Sequence, residues 1–374
     1  MIETIFQKIY KTKFPIVQAG MGPYNTEKLC IAVAKAGALG LISTVGMGEF
    51  ELPGIGKYKY SAIFEDKSPK ELLSESIHRV DNALKDFPDA KFGVNIPVSE
   101  EFISIAHELI ETTIEEIEKN PSIRNKLIAI FTSAGDPLPW SLNPGDKKYK
   151  YSIPIKEHCP EIVWTHVIPS VRAAKRCEKA NVDVIVASGR EGGAHVSWRD
   201  VSSIVLIPEV VKSVKKPVIA AGGFVDGVSF ASALALGAIG VQMGTRFIAT
   251  IESDFKQEWK EILVQSSEED SIIGRGFFGP MRFIRNSAAL ELVNLTIRDS
   301  SDLYRGIPCN SSNDIINLEI KSIEHLMRGD KEKSLFLGGT CTGRIHDIPH
   351  VKELIDIIMK EAEEVIKNLN YLLK

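Results

Sequence analysis

The chain is predicted to fold as a (β/α)8 barrel, and three observations predict it. Eight short apolar runs recur along its 374 residues, most of them followed by a segment of helical periodicity. Continuous apolar runs read as buried parallel strands, and alternation with helices reads as βαβ units. Several of these runs end in glycine or another small residue, as strands do at the catalytic face of such a barrel. No GxGxxG opens the first unit, which weighs against a doubly wound dinucleotide fold.

The elements follow in order. Ile2, Ile5, Phe6 and Ile9 share one helical face and read as a short helix plugging the barrel bottom. The first strand is expected at 15–19, and Thr26 is the expected N-cap of a helix over 26–36 that stops at Gly37. Strands two and three are expected at 39–43 and 91–96, the latter followed by an amphipathic helix over about 100–118. Strand four covers 128–132. Strand five covers 163–168, with a helix over 171–179, and strand six covers 183–187, with a helix near 201–214. The segment 217–248 supplies strands seven and eight, separated by a helix carrying Phe230, Ala233, Leu234 and Leu236 and ended by Gly237.

Three segments fall outside the repeat. The stretches 49–68 and 136–160 are long loops, of the kind that shape an active site or lid. The stretch 252–338 is charged and helix-forming, with an amphipathic run at 315–327, and reads as a helical insert on the catalytic face. The expected organisation is therefore a barrel over 1–250, a helical insert over 251–338, and a segment over 339–374 whose last helix closes the ring.

Composition narrows the function. With 44% apolar and 25% charged residues the chain is of globular type, and its net charge of −4 gives no electrostatic case for nucleic acid or an anionic membrane. No apolar stretch approaches the ~20 residues needed to span a bilayer, and the N-terminus lacks the apolar core of a signal peptide. Five scattered cysteines without a CxxC pair fit a reducing cytoplasm, with Cys30 and Cys177 as packing residues on helices. His346 and His350 have metal-like spacing, but Pro349 lies between them, and no metal site is expected. A small-molecule substrate is expected, with no nucleic-acid or membrane partner, and homo-oligomerisation is left open.

The chemistry gathers at strand ends. Strands seven and eight end in Gly222-Gly223 and Gly244-Thr245, where backbone amides can approach a phosphate without a Cβ in the way. Strand six ends in Ser188-Gly189-Arg190-Glu191-Gly192-Gly193-Ala194-His195, a small-residue loop that delivers a histidine able to move protons near neutral pH. Met21 and Gly22 follow strand one, and Asn95 ends strand three. His166, at the end of strand five, is a further candidate to line the pocket.

The series PIVQAGMG, FGVN, GREGGAH, AAGGFVDG and VQMGTRF resembles the motifs of the FMN-dependent class I nitronate monooxygenases. The flavin-dependent type II enoyl-acyl-carrier-protein reductases share the same series. The resemblance implies FMN as cofactor, with Asn95, Gly193 and Gly223 as flavin contacts, Gln242, Met243, Gly244 and Thr245 as the phosphate turn, and His195 as the catalytic histidine. Met21, Gly22, Ser188, Ala194 and Gly222 complete the expected cofactor site. It also implies oxidation of an alkyl nitronate with O2 to a carbonyl compound and nitrite. The alternative is NAD(P)H-dependent reduction of an enoyl thioester or a quinone, toward which TSAGDP at 132–137 and HVIPSV at 166–171 lean. A non-catalytic flavin- or phosphate-binding module is the rival class. Three positions depart from the monooxygenase pattern: Ser188 stands in place of a glutamine, and Ala194 and Ser197 in place of glycines.

Overall fold

The computed structural model describes residues 2–52, 55–142 and 153–373. Helix α1 (Ile5–Tyr10) opens the chain, followed by β1 (Ile16–Gln18), α2 (Glu27–Lys35) and β2 (Gly40–Ser43). A hairpin of β3 (Glu49–Leu52) and β4 (Gly56–Lys59) and helix α3 (Pro69–Ala83) precede β5 (Phe92–Pro97). Helices α4 (Ile103–Lys119) and α5 (Pro121–Lys126) lead to β6 (Leu127–Ser133), and α6 (Ile155–His158) leads to β7 (Val163–Ile168). The repeat is completed by α7 (Val171–Lys179), β8 (Val184–Ser188), β9 (Ala194–His195), α8 (Ser203–Ser213), β10 (Val218–Ala221), α9 (Gly227–Ala235) and β11 (Val241–Met243).

Eight of these strands pair in parallel in the order β1-β11-β10-β8-β7-β6-β5-β2. A parallel bridge between Val17 and Leu39 joins the two ends, so the sheet closes into a barrel. Each barrel strand lies within a few residues of its sequence-predicted position. Alternation along them builds two apolar layers. Val17, Leu41, Phe131, Val184 and Ile219 point into the barrel, while Ile16, Ile42, Ile130, Ile185 and Val218 pack outward against the helices.

The barrel bottom is plugged by α1 as expected, with Phe6 and Ile9 of the expected face turned inward but Ile5 outside it. Phe6 and Tyr10 are fully buried in the inner layer, and the Tyr10 hydroxyl lies 2.6 Å from Thr165 Oγ1. Ile5 is 51% exposed. In so short a helix the i, i+4 pair Phe6 and Tyr10 sets the inward stripe, and Ile5 falls outside it. Thr26 also departs from expectation. It is left-handed (φ 57°), and its hydroxyl donates to Leu41 O at 2.9 Å instead of capping α2. The Asp254 carboxylate accepts the Lys28 and Leu29 amides in its place, at 3.2 and 3.0 Å.

Beyond β11 come α10 (Thr245–Ile248), α11 (Gln257–Gln265), β12 (Ser271–Arg275), β13 (Pro280–Ile284), α12 (Ser287–Asp299), α13 (Asn313–Met327) and α14 (Val351–Tyr371). The segment expected to be helical therefore also carries a β12–β13 hairpin. Strand β13 pairs antiparallel with β9, setting Met281 opposite His195 and Arg282 opposite Ala194. Helix α14 packs on α9 and α2. Gly227 permits this, because a Cβ there would stand 2.4 Å from Ala362 N. The first long loop contains the β3–β4 hairpin; of the second, residues 143–152 lie outside the described residues. Among the described residues, no helix is long and apolar enough to cross a membrane.

Candidate active site

The C-terminal ends of the barrel strands open into one cavity of about 1120 Å³, somewhat above the ~300–1,000 Å³ usual for a small-molecule pocket. Met21, Gly22, Asn95, Ser188, Gly193, Ala194, His195, Gly222, Gly223, Gln242, Met243, Gly244 and Thr245 all line it. The sequence separates these residues by more than two hundred positions; the barrel brings them to one space.

At one end of the cavity stand the turns after the adjacent strands β10 and β11. Gly222 and Gly223 are left-handed, at φ +86° and +91°, a conformation glycine adopts freely. A Cβ on Gly222 would meet Gly189 O at 2.7 Å, and one on Gly244 would meet Met21 Sδ at 3.3 Å. Among the described residues, the amides of Gly222, Gly223 and Gly244 make no turn or loop hydrogen bond. Such turns form a concave, amide-lined seat for an anion. On β5, Asn95 is buried, and its Nδ2 donates to Phe131 O at 3.2 Å and to Ser133 Oγ at 3.3 Å. Its carboxamide fills the space that a Cβ on Gly20 would take, 2.1 Å from Oδ1.

The loop after β8 is held from three sides. The Glu191 carboxylate accepts the Ser203 amide at 2.9 Å, at the start of α8, while Ser203 Oγ lies 2.6 Å from Gly222 O. The Glu191 carbonyl accepts the Thr340 amide at 3.0 Å, and Gly339 N donates to Thr245 Oγ1 at 3.1 Å. Residues 338–340 thus form a wedge between this loop and the β11 turn. A Cβ on Gly193 would lie 2.8 Å from the Gly338 carbonyl carbon and the Gly339 nitrogen, so glycine there is required by packing as well as by the cavity. Ala194 stands at φ +60°, the left-handed conformation that a glycine would take without strain.

His195 is fixed through its β9 backbone by Met281 and has its ring 6.2 Å, centroid to centroid, from Phe278. The residue is exposed where it faces the open cavity, with the walls of that cavity enclosing the ring. This enclosure pushes its pKa down to about 4, with the Arg275 guanidinium as the second cause. The imidazole is therefore neutral at pH 7 and able to accept a proton.

His166 does not line the cavity. It is buried, with Nδ1 2.7 Å from Thr132 Oγ1 and Nε2 3.2 Å from Gly135 O. The Gly135 carbonyl can only accept, so His166 donates from Nε2, and its neutral Nδ1 accepts from the Thr132 hydroxyl, whose oxygen also accepts the Trp164 indole N–H at 2.9 Å. Burial pushes its pKa down to about 4, and its task is to hold the Gly135 turn. His350 pairs with Glu252 at 3.2 Å. All five cysteines are free, and burial raises the thiol of cavity-lining Cys341 to about 11, so it stays protonated.

Sequence reasoning missed the groups supplied by the insert. Arg275 is buried, donates to Cys309 O at 2.9 Å and lies 5.3 Å over the Trp198 ring. Phe277, Phe278 and Glu319 line the cavity. Only Glu319 carried a signal, as an acidic residue on the otherwise apolar stripe of α13.

The family model described as nitronate monooxygenase matches residues 3–361. The chain is 27% identical, over 99% of both chains, to a Rhodococcus jostii (3aS,4S,5R,7aS)-5-hydroxy-7a-methyl-1-oxo-octahydro-1H-indene-4-carboxyl-CoA dehydrogenase. It is 25% identical to a probable nitronate monooxygenase of Staphylococcus aureus, covering 86% of this chain and 89% of that one. Among solved structures, FabK from Thermotoga maritima aligns over the whole of both chains with a TM-score of 0.76 at 28% identity. A nitroalkane oxidase from Streptomyces ansochromogenes aligns with a TM-score of 0.70 at 18% identity over 98% of this chain and 100% of that one, a likeness of fold.

Proposed function

The chain belongs to the nitronate monooxygenase family of flavin oxidoreductases, and on that premise we propose that it holds FMN across the strand ends and oxidises alkyl nitronates. The observation that carries the reading is the meeting, in one cavity, of the β10 and β11 glycine turns, Asn95 and His195. The turns at Gly222-Gly223 and Gly244-Thr245 would take the flavin phosphate. Met21, Gly22, Gln242 and Met243 would lie along the cofactor on one side, and Ser188, Gly193 and Ala194 on the other. When bound, FMN supplies electron acceptance and the reaction with oxygen. Neutral His195 takes the α-proton from a nitroalkane, or holds a nitronate oxygen once its own nitrogen carries the proton. Phe102, Phe277 and Phe278 wall the same space. In this reading residues 251–338 furnish the substrate-side wall of a 1–250 barrel, residues 339–374 brace the loop and close the ring, and the cytoplasm is the compartment.

A second reading, reduction of an acyl thioester, is favoured by one feature. Arg172, Lys175, Arg176 and Lys179 line an outer groove of about 490 Å³ on α7, and Arg172 and Arg176 also line the main cavity. A cationic run at the mouth, in a chain of net charge −4, suits a substrate with a phosphate-bearing handle. The two readings separate in an anaerobic half-reaction. Propionate 3-nitronate should bleach the flavin without a nucleotide; bleaching by NADH or NADPH alone would transfer the assignment to the thioester reading.

A further inference from the structure

Glu319 sits among Ile315, Ile316, Ser322, Ile323 and Leu326 on the buried face of α13. It is 8% exposed and lines the cavity. Its Oε2 accepts the Phe277 amide at 2.7 Å, in the turn between β12 and β13. That hairpin also fixes His195 through Met281, so one element positions both groups about the same space. A carboxylate buried this deeply needs a cation in contact, and among the described residues Glu319 has no ion pair. Arg275, on β12, acts on it only at a distance, because its guanidinium donates to Cys309 O and Gly276 O. The other groups facing it are Tyr58 and Tyr60, whose phenols burial keeps protonated. On α12, which packs against α13, Arg298 pairs with Asp299 and Asp314. Burial accordingly raises the Glu319 carboxyl to about 8, with the Phe277 amide and Arg275 opposing. A neutral carboxylic acid has an O–H to donate, and Oε1 is the oxygen that Phe277 leaves free.

We propose that Glu319 is a second substrate-contacting group of this site, a neutral acid that donates a hydrogen bond to an oxygen of a bound nitronate or similar small oxyanion. The proposal deepens, and rests on, the nitronate reading of the cavity. Proton and anion binding are then coupled: once ionised, the carboxylate offers no donor and repels the ligand.

Nitrite is the probe, with binding followed by the fluorescence of the cavity-lining Trp198 and Trp259. The wild-type Kd should be constant below about pH 7 and weaken about tenfold per pH unit above about pH 8. E319Q keeps an acceptor for the Phe277 amide and a neutral donor, and should bind with no such dependence. Carboxyl-¹³C NMR should show one glutamate titrating near pH 8 in the wild type and none in E319Q, whatever ligand is present. The same weakening in E319Q, a flat wild-type profile, absent nitrite binding, or no glutamate titrating near pH 8 overturns the proposal. Failure to oxidise nitronates, with pH-linked nitrite binding intact, counts against the proposed function alone.

Discussion

Ala194 provides a direct test of how the loop before His195 is held. It occupies φ +60° where the motif series carries glycine. An L-residue in that region costs about 1–2 kcal/mol, because its Cβ crowds the following carbonyl. Glycine avoids the cost but adds about 0.4–1 kcal/mol of lost freedom, since its unfolded chain is looser. Ala194→Gly should therefore stabilise the protein by about 0.5–1 kcal/mol, or roughly 2 °C in melting temperature for a chain of this size. The pairing of residue 194 with Arg282 runs through the backbone, so His195 stays in place and turnover should change less than about twofold. Melting by calorimetry at fixed flavin content, beside steady-state rates, reads both. A lower melting temperature in the variant would refute the assigned strain and mean that the Ala194 methyl is needed for packing.

Two further substitutions probe the same corner. Gly193→Ala drives a Cβ to 2.8 Å from the backbone of Gly338 and Gly339, where no side chain can give way, and should cost more than about 2 kcal/mol and loosen flavin retention; unchanged melting and flavin content would show that the wedge at 338–340 is not tight. His195, with its pKa near 4, should take protons from a neutral nitroalkane at a rate flat through neutrality and falling only toward pH 4. Removing the Arg275 cation favours the imidazolium and raises that pKa, so Arg275→Gln should move the acid limb upward; an unmoved limb contradicts the placement of that charge.

How much of this was legible in the sequence depended on the range of the contacts involved. The barrel strands were readable because each is a continuous apolar run with its turn adjacent; Val163–Ile168 fell on its expected bounds, and Val218–Ala221 ends at the Gly222-Gly223 turn expected to close strand seven. The glycine turns were readable for the same reason. What stayed hidden depends on partners distant in the chain. The strand Ala194–His195 exists because Met281 and Arg282 lie beside it. The cap of α2 is Asp254, more than two hundred residues away, so Thr26 next to the helix was the natural but mistaken choice. His166 was placed on its strand, but its partners Thr132 and Gly135 decide that it serves the frame and not the cavity. Glu319 was visible only as an anomaly, since helical periodicity marks a buried carboxyl without saying what it faces.

The flavin content of the purified protein is the most direct measurement. Heat denaturation should release one FMN per chain, identified by its phosphate, from a yellow protein, as the proposed seating of that phosphate on the strand-end glycine turns requires. A colourless protein that takes up no FMN on reconstitution would contradict the convergence of Asn95, the β10 and β11 turns and His195 on a single cofactor.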